Sequence, residues 1–293
     1  MIEHIANYLS YEFVRNALVA GSLAAVLGAV VGYFVVIRKV SFAAHALAHI
    51  GFTGATGAAL FALSPLEGML AISVLAGITM GATGSRLQYS DQSIGMTLSI
   101  CMGLGVLFLA FYKGFAGQAT AILFGNVFGV SHNQIIQTLF LSVICLGTLL
   151  LFSRKLFFAS VQPDLAEGRG ISLSVLAVVF MVILAVSVSL ASQVVGTLLV
   201  FTLIIGPAGI ASRFCRNFWS GMITSVIIAL ITVWSGILMA CFTSWPPSFC
   251  ISAIVFSLYS VSGITWRFII QMKSSALRAD QYNRFEHEPV HSK

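Results

Sequence analysis

His45 and His49 stand four residues apart in Ser41-Phe42-Ala43-Ala44-His45-Ala46-Leu47-Ala48-His49-Ile50-Gly51, within a stretch from Ser41 to Leu63 that holds no Asp, Glu, Lys or Arg. On a helix this spacing puts both rings on one side, about one turn apart. Two neutral imidazoles so placed can share a divalent cation, and they suit zinc and other borderline first-row metals better than manganese, which leans on carboxylate oxygen. Packing is the competing role for such a pair, although polar groups inside a membrane are costly and usually face a cavity or a bundle interior. The spacing is also that of zinc proteases, but Ala46, Leu47 and Ala48 occupy the interval, so the general-base Glu of H-E-x-x-H is absent. No G-x-S-x-G elbow and no G-x-x-x-x-G-K-[ST] phosphate loop occur. The chain is therefore expected to be no enzyme, and any ATP-driven step must use a separate ATP-hydrolysing subunit.

The elements that must hold this pair are read from composition. Of 293 residues, 58% are hydrophobic and only 8% charged, against about 25% charged in soluble domains. Charge-free windows of membrane-crossing length recur at Asn16–Ile37, Ser41–Leu63, Gly68–Ser85, Gln92–Tyr112, Gln134–Ser153, Ile171–Ser192, Val194–Ser212, Asn217–Ser244 and Pro247–Trp266. They predict an all-α polytopic membrane protein with about nine transmembrane helices, eight being the alternative. With the N-terminus outside, 13 of the 15 Lys and Arg residues fall on the cytoplasmic side, Arg15 and Lys113 excepted, which is the positive-inside pattern. Basic residues confined to breaks between apolar windows set orientation and exclude a nucleic-acid surface. MIEHIANYLSYEF has no signal-peptide pattern, so the first helix is expected to be retained. Cys101, Cys145, Cys215, Cys241 and Cys250 form no C-x-x-C pair and read as small core residues.

Residues 1–270 form one membrane domain in this reading, and 271–293 a polar, frayed cytoplasmic tail whose His287 and His291 lack an apolar context to make them ligands. Lys113–Asn133 is glycine-interrupted and predicts a short or re-entrant helix on the outer side. The segment 154–171 predicts a short amphipathic cytoplasmic helix, with Pro163 in its first turn, Asp164 and Glu167 near its start and Gly170 at its end. Gly28-x-x-x-Gly32 and Gly77-x-x-x-Gly81 predict close helix packing. Glu67 fits the first turn of the third span. Asp91 reads as a helix cap or as an ion-exit group, and Pro207 as a packed kink or as a broken helix beside a pathway.

Arg38-Lys39-Val40-Ser41, His45-Ala46-Leu47-Ala48-His49 and Gly54 together resemble the R-[RK]-x-S-x-x-[GA]-D-A-L-[SA]-H-x-x-x-x-G stretch of the metal-type ABC importer permeases, the zinc and manganese uptake group. Ser90-Asp91 with Ile94-Gly95, Leu123-Phe124-Gly125, Val130-Ser131, Pro163-Asp164-Leu165-Ala166 with Gly170, Val195-Gly196-Thr197-Leu198-Leu199-Val200 and Gly206-Pro207-Ala208 resemble further segments of that family, in order. The resemblance implies a fold related to the vitamin B12 importer permease. It also implies a location in the bacterial cytoplasmic (inner) membrane, a second copy of the chain around a central pathway, two cytoplasmic ATPase subunits and an extracytoplasmic metal-binding protein. No cofactor is implied, zinc being substrate, with manganese or iron the alternative. Pro163, Asp164, Leu165, Glu167, Arg169 and Gly170 become the coupling segment, Asp91 and Pro207 pathway or gating positions, and His45 and His49 transient metal contacts. Where the family usually has Asp this chain has His45, while His49 falls on the family's His, so one oxygen ligand is exchanged for nitrogen. An ion-gradient-driven carrier is the rival class; such carriers place acids inside spans, and none of the nine windows holds one in its interior.

Overall fold

The computed structural model describes residues 10–83, 91–111, 123–215 and 217–286, without the side chains of 93, 269 and 273–286. Arg86, Ser90, residues 113–122, Arg216, His287 and His291 lie outside the described residues. Within them the chain is helical: α1 Glu12–Ile37, α2 Ser41–Leu60, α3 Pro65–Thr83, α4 Asp91–Phe111, α5 His132–Val161, α6 Pro163–Gly168, α7 Leu173–Val195, α8 Val200–Phe214, α9 Phe218–Thr243 and α10 Pro247–Glu286. Every apolar window has its helix, and seven of these are long and apolar enough to cross a membrane. The other two are α2, which two histidines make less apolar, and α8, which at 15 residues reaches only about 22 Å.

The helix ends follow from local chemistry. At the start of α3, the Ser64 amide donates to Glu67 Oε2 (3.3 Å) and the Glu67 amide to Ser64 Oγ (3.3 Å), a reciprocal capping box. Ser131 and Gln134 make the same exchange at the start of α5. Lys39 (φ 57°) and Ser244 (φ 57°) take left-handed turns after α1 and α9. Pro247 is the first residue of α10, where its missing amide costs nothing. α10 runs on to Glu286, and its last stretch, QMKSSALRADQYNRFE, contains strong helix formers and neither Gly nor Pro.

α1 and α7 form the centre and are buried over most of their length, while little of α4 is buried. α3 packs between α2 and α7, α2 also receives α4, α8 and α9 pack on α1 and on each other, and α10 packs on α8 and α9. Glycines let backbones touch. A Cβ at Gly32 would meet the carbonyl of Ile204 on α8, and one at Gly77 would lie 2.9 Å from the carbonyl oxygen of Met181 on α7. Both small-residue motifs thus serve packing within the bundle. Arg38, at the end of α1, is buried with its guanidinium 4.5 Å from the centre of the Phe180 ring, a cation–π arrangement that shelters the charge on α7.

Candidate functional site

α2 presents different residues to different neighbours. Leu47, Gly51 and Gly54 face α3: the Ser73 hydroxyl donates to the Leu47 carbonyl (3.5 Å), and Gly54 meets the backbone of Gly68. Thr53 faces α4, its hydroxyl donating to the Cys101 carbonyl (2.5 Å). His45 and His49, roughly half a turn from the α3 face, are left to the opposite side, where His45 stands edge-on to Phe201 of α8 with ring centroids 5.1 Å apart.

The two imidazoles lie 4.6 Å apart between centroids, with planes at 79°. Both are half-buried, and the Nδ1 atom of each is buried without a hydrogen-bond partner. Leaving a buried polar atom unpaired costs about 1–3 kcal/mol, so two adjacent orphaned nitrogens are a feature that packing alone does not reward. A single cation could bridge the rings after one of them turns, since zinc–nitrogen bonds are about 2.0–2.1 Å. Among the described residues no group of three or more His, Cys, Asp or Glu side chains could hold a metal ion. Among the described residues the pair thus offers two nitrogens and no third His, Cys, Asp or Glu beside them.

Asp91 is the exposed first residue of α4, where an acid complements the helix dipole. Pro207 is buried inside α8, which remains continuous through it. The chain break in this region falls instead at Gly196 (φ 97°) between α7 and α8. There Leu123-Phe124-Gly125 crosses the turn: a Cβ at Gly196 would strike the Phe124 backbone, the Leu198 amide donates to the Leu123 carbonyl (3.2 Å), and the Ser248 hydroxyl donates to the Phe124 carbonyl (2.5 Å). Two motifs some 70 residues apart are thereby joined.

Pro163–Gly168 forms α6, with Pro163 in the first turn and Gly170 left-handed (φ 76°) just beyond it. Ala166 is buried, Leu165 is 58% exposed, and the Arg169 guanidinium lies 5.1 Å from the Phe158 ring centre. Asp164 and Glu167 are exposed. α6 packs against α5 and α7, near the end of the bundle that carries Arg38.

Sequence reasoning missed Phe201, which covers His45, and Thr53, which ties α2 to α4. It also missed a cavity of about 410 Å³ at the opposite end, lined by Glu67, Asn126, Gln134, Gln137, Ser192 and Gln193 among others. Gln193, a polar side chain within an apolar run, was the available signal for it.

Fold and site together define a polytopic helical membrane protein with a polar contact point inside the bundle. Residues 10–265 match the ABC 3 transport family, and the chain belongs to that family. It is 27% identical over 252 residues to the high-affinity zinc uptake system membrane protein ZnuB of Haemophilus influenzae, covering 85% of this chain and 97% of that one. It is 28% identical over 224 residues to the manganese import system permease protein ScaB of Streptococcus parasanguinis, covering 76% of this chain and 80% of that one. Its fold matches a chain of PsaBC from Streptococcus pneumoniae in complex with Fab, with a TM-score of 0.80 at 23% identity, covering 89% of this chain and 95% of that one.

Proposed function

We propose that the chain is the membrane-spanning permease subunit of an ATP-binding-cassette importer for a divalent metal, and that its preferred ion is zinc. The observation that carries this reading is the pair of half-buried imidazoles, each with an unpartnered Nδ1, on an uncharged helix. Zinc and manganese relatives match at similar identity, so the preference for zinc rests on the ligands: two nitrogens favour zinc over manganese by softness and by the general order of stability. The ion contacts His45 and His49 in passage and does not reside there.

The chain works as a second copy paired with the first, with two cytoplasmic ATPase subunits and an extracytoplasmic metal-binding protein. The distribution of Lys and Arg supports an N-terminus outside and a cytoplasmic C-terminus. That places α6 on the cytoplasmic side, where exposed Leu165, Asp164 and Glu167 form the coupling surface for the ATPase. Asp91 then stands at the cytoplasmic start of α4, near ion exit, and Pro207 in α8 at a gating position.

The test is metal uptake into proteoliposomes holding the permease, its ATPase and its binding protein. Uptake should require ATP and should prefer zinc to manganese. His45→Ala and His49→Ala should each lose most zinc uptake while protein abundance and ATPase assembly hold. Unchanged uptake in both variants returns the pair to packing, and uptake by the chain alone removes the importer reading.

A further inference from the structure

α8 and α10 enclose a second cavity, of about 400 Å³, lined by Arg213, Phe256, Tyr259, Ser260, Gly263, Ile264, Trp266 and Arg267. Residues 256, 259, 260, 263, 264 and 267 recur at helical spacing, so they form one stripe along α10. From Phe256 to Arg267 that stripe is about 16 Å long at 1.5 Å per residue. It is a groove with a chemical gradient. Phe256 is 70% exposed and Ile264 57% exposed, whereas the Arg213 guanidinium sits midway along the stripe, beside Tyr259 and Ser262, and Arg267 lies at its end.

Arg213 is fixed in place. Its Nη1 donates to the Tyr259 carbonyl (3.0 Å) and the Ser262 hydroxyl (2.7 Å), and its guanidinium lies 4.0 Å from the Tyr259 ring centre. Gly263 leaves the room this needs, since a Cβ there would come within 3.2 Å of Arg213 Nη1. Phe214 and Trp266 stack edge-on at 5.8 Å beside it. Among the described residues neither Arg213 nor Arg267 has an acidic partner, and Arg267 makes no hydrogen bond. Arg267 follows Pro247 by about 30 Å along α10, the thickness of a bilayer's hydrocarbon core, so the basic end sits at the membrane interface, where Trp and Tyr also concentrate.

We propose that this groove binds an anionic phospholipid, its phosphate between Arg213 and Arg267 and an acyl chain along Ile264, Ser260 and Phe256. Guanidinium forks match phosphate oxygens. The shared chemistry is a phosphate monoanion; the long apolar extension of the groove selects the lipid over free phosphate, and the absence of an acid from its lining among the described residues selects an anionic headgroup over a zwitterionic one.

Purified protein is melted in detergent with added phosphatidylglycerol, phosphatidylcholine or inorganic phosphate, and retained lipid is counted by native mass spectrometry. Wild type should retain phosphatidylglycerol and melt several degrees higher with it than with phosphatidylcholine, with no shift from inorganic phosphate. Arg267→Gln, which breaks no hydrogen bond among the described residues, and Arg213→Gln should each cut retained phosphatidylglycerol to less than half. Equal retention in Arg267→Gln and wild type overturns the proposal. So does an equal shift from inorganic phosphate or from phosphatidylcholine, and so does conversion of the variant from dimer to monomer without lipid loss, which would make a second copy the occupant.

Discussion

Gly54→Ala tests the packing that holds the histidine helix. In solvent-exposed helices Ala is favoured over Gly by about 1 kcal/mol, so propensity alone makes this substitution stabilising. The structure reverses the sign. A Cβ at Gly54 would strike the Gly68 carbonyl oxygen and lie 2.6 Å from its carbonyl carbon and 3.0 Å from the Met69 nitrogen. These are backbone atoms, which cannot rotate aside, so α2 and α3 must part by roughly an ångström, a strain that close-packed interiors transmit. Overpacking of this kind costs about 3 kcal/mol at the upper end of its usual range. Set against the propensity gain of about 1 kcal/mol, the net loss is about 2 kcal/mol. With roughly 2–4 °C per kcal/mol for chains of this order of size, the melting temperature should fall by about 4–8 °C. The assay is thermal unfolding of purified protein in detergent, with Gly103→Ala as control, because nothing lies within 4 Å of a Cβ built at Gly103 and propensity should prevail there. Gly54→Ala with Gly68→Ala should lose less than the sum of the single changes, since both probe one contact. A Gly54→Ala protein that melts at or above wild type while Gly103→Ala behaves as expected would refute the reasoning.

Three other outcomes follow from the same geometry. His45→Asp, which exchanges a nitrogen ligand for oxygen, should raise the manganese-to-zinc uptake ratio several-fold in competition assays; an unchanged ratio would show that this position does not select the ion. Leu165→Glu, placed on the exposed side of α6, should abolish metal-stimulated ATP turnover of the assembled complex while membrane abundance stays constant, and normal turnover would remove α6 from coupling. Ser131→Ala removes one half of the α5 capping box and should cost about 1 kcal/mol, read as a small fall in melting temperature with uptake preserved.

The linear pattern made several parts of the fold legible. Charge-free windows mark helices because an uncompensated charge in hydrocarbon is costly, and each window has its helix. Pro163 and Gly170 bracket α6 as expected, because a ring-locked φ suits a first turn and a left-handed residue ends one. Boundaries were less legible. The window from Val194 to Ser212 reads as one span, yet Gly196 divides it and α7 keeps its first residues, since the turn is stabilised by Leu123–Gly125, far away in sequence. Pro207 reads equally as a packed kink or as a break, and α8 runs continuous through it.

What the sequence determined by itself is the class of molecule, the approximate helix count and the presence of two metal-capable side chains on one side of α2, because composition and the 3.6-residue period are properties of a single segment. Tertiary structure alone decided what that side faces. Gly54 pressed against Gly68 and Thr53 bonded to the Cys101 carbonyl fix the rotation of α2, and only that rotation turns His45 and His49 away from α3, sets His45 against Phe201 and leaves both Nδ1 atoms without a partner. The orientation of a helix about its own axis is set by its neighbours, and no reading of its own residues contains them.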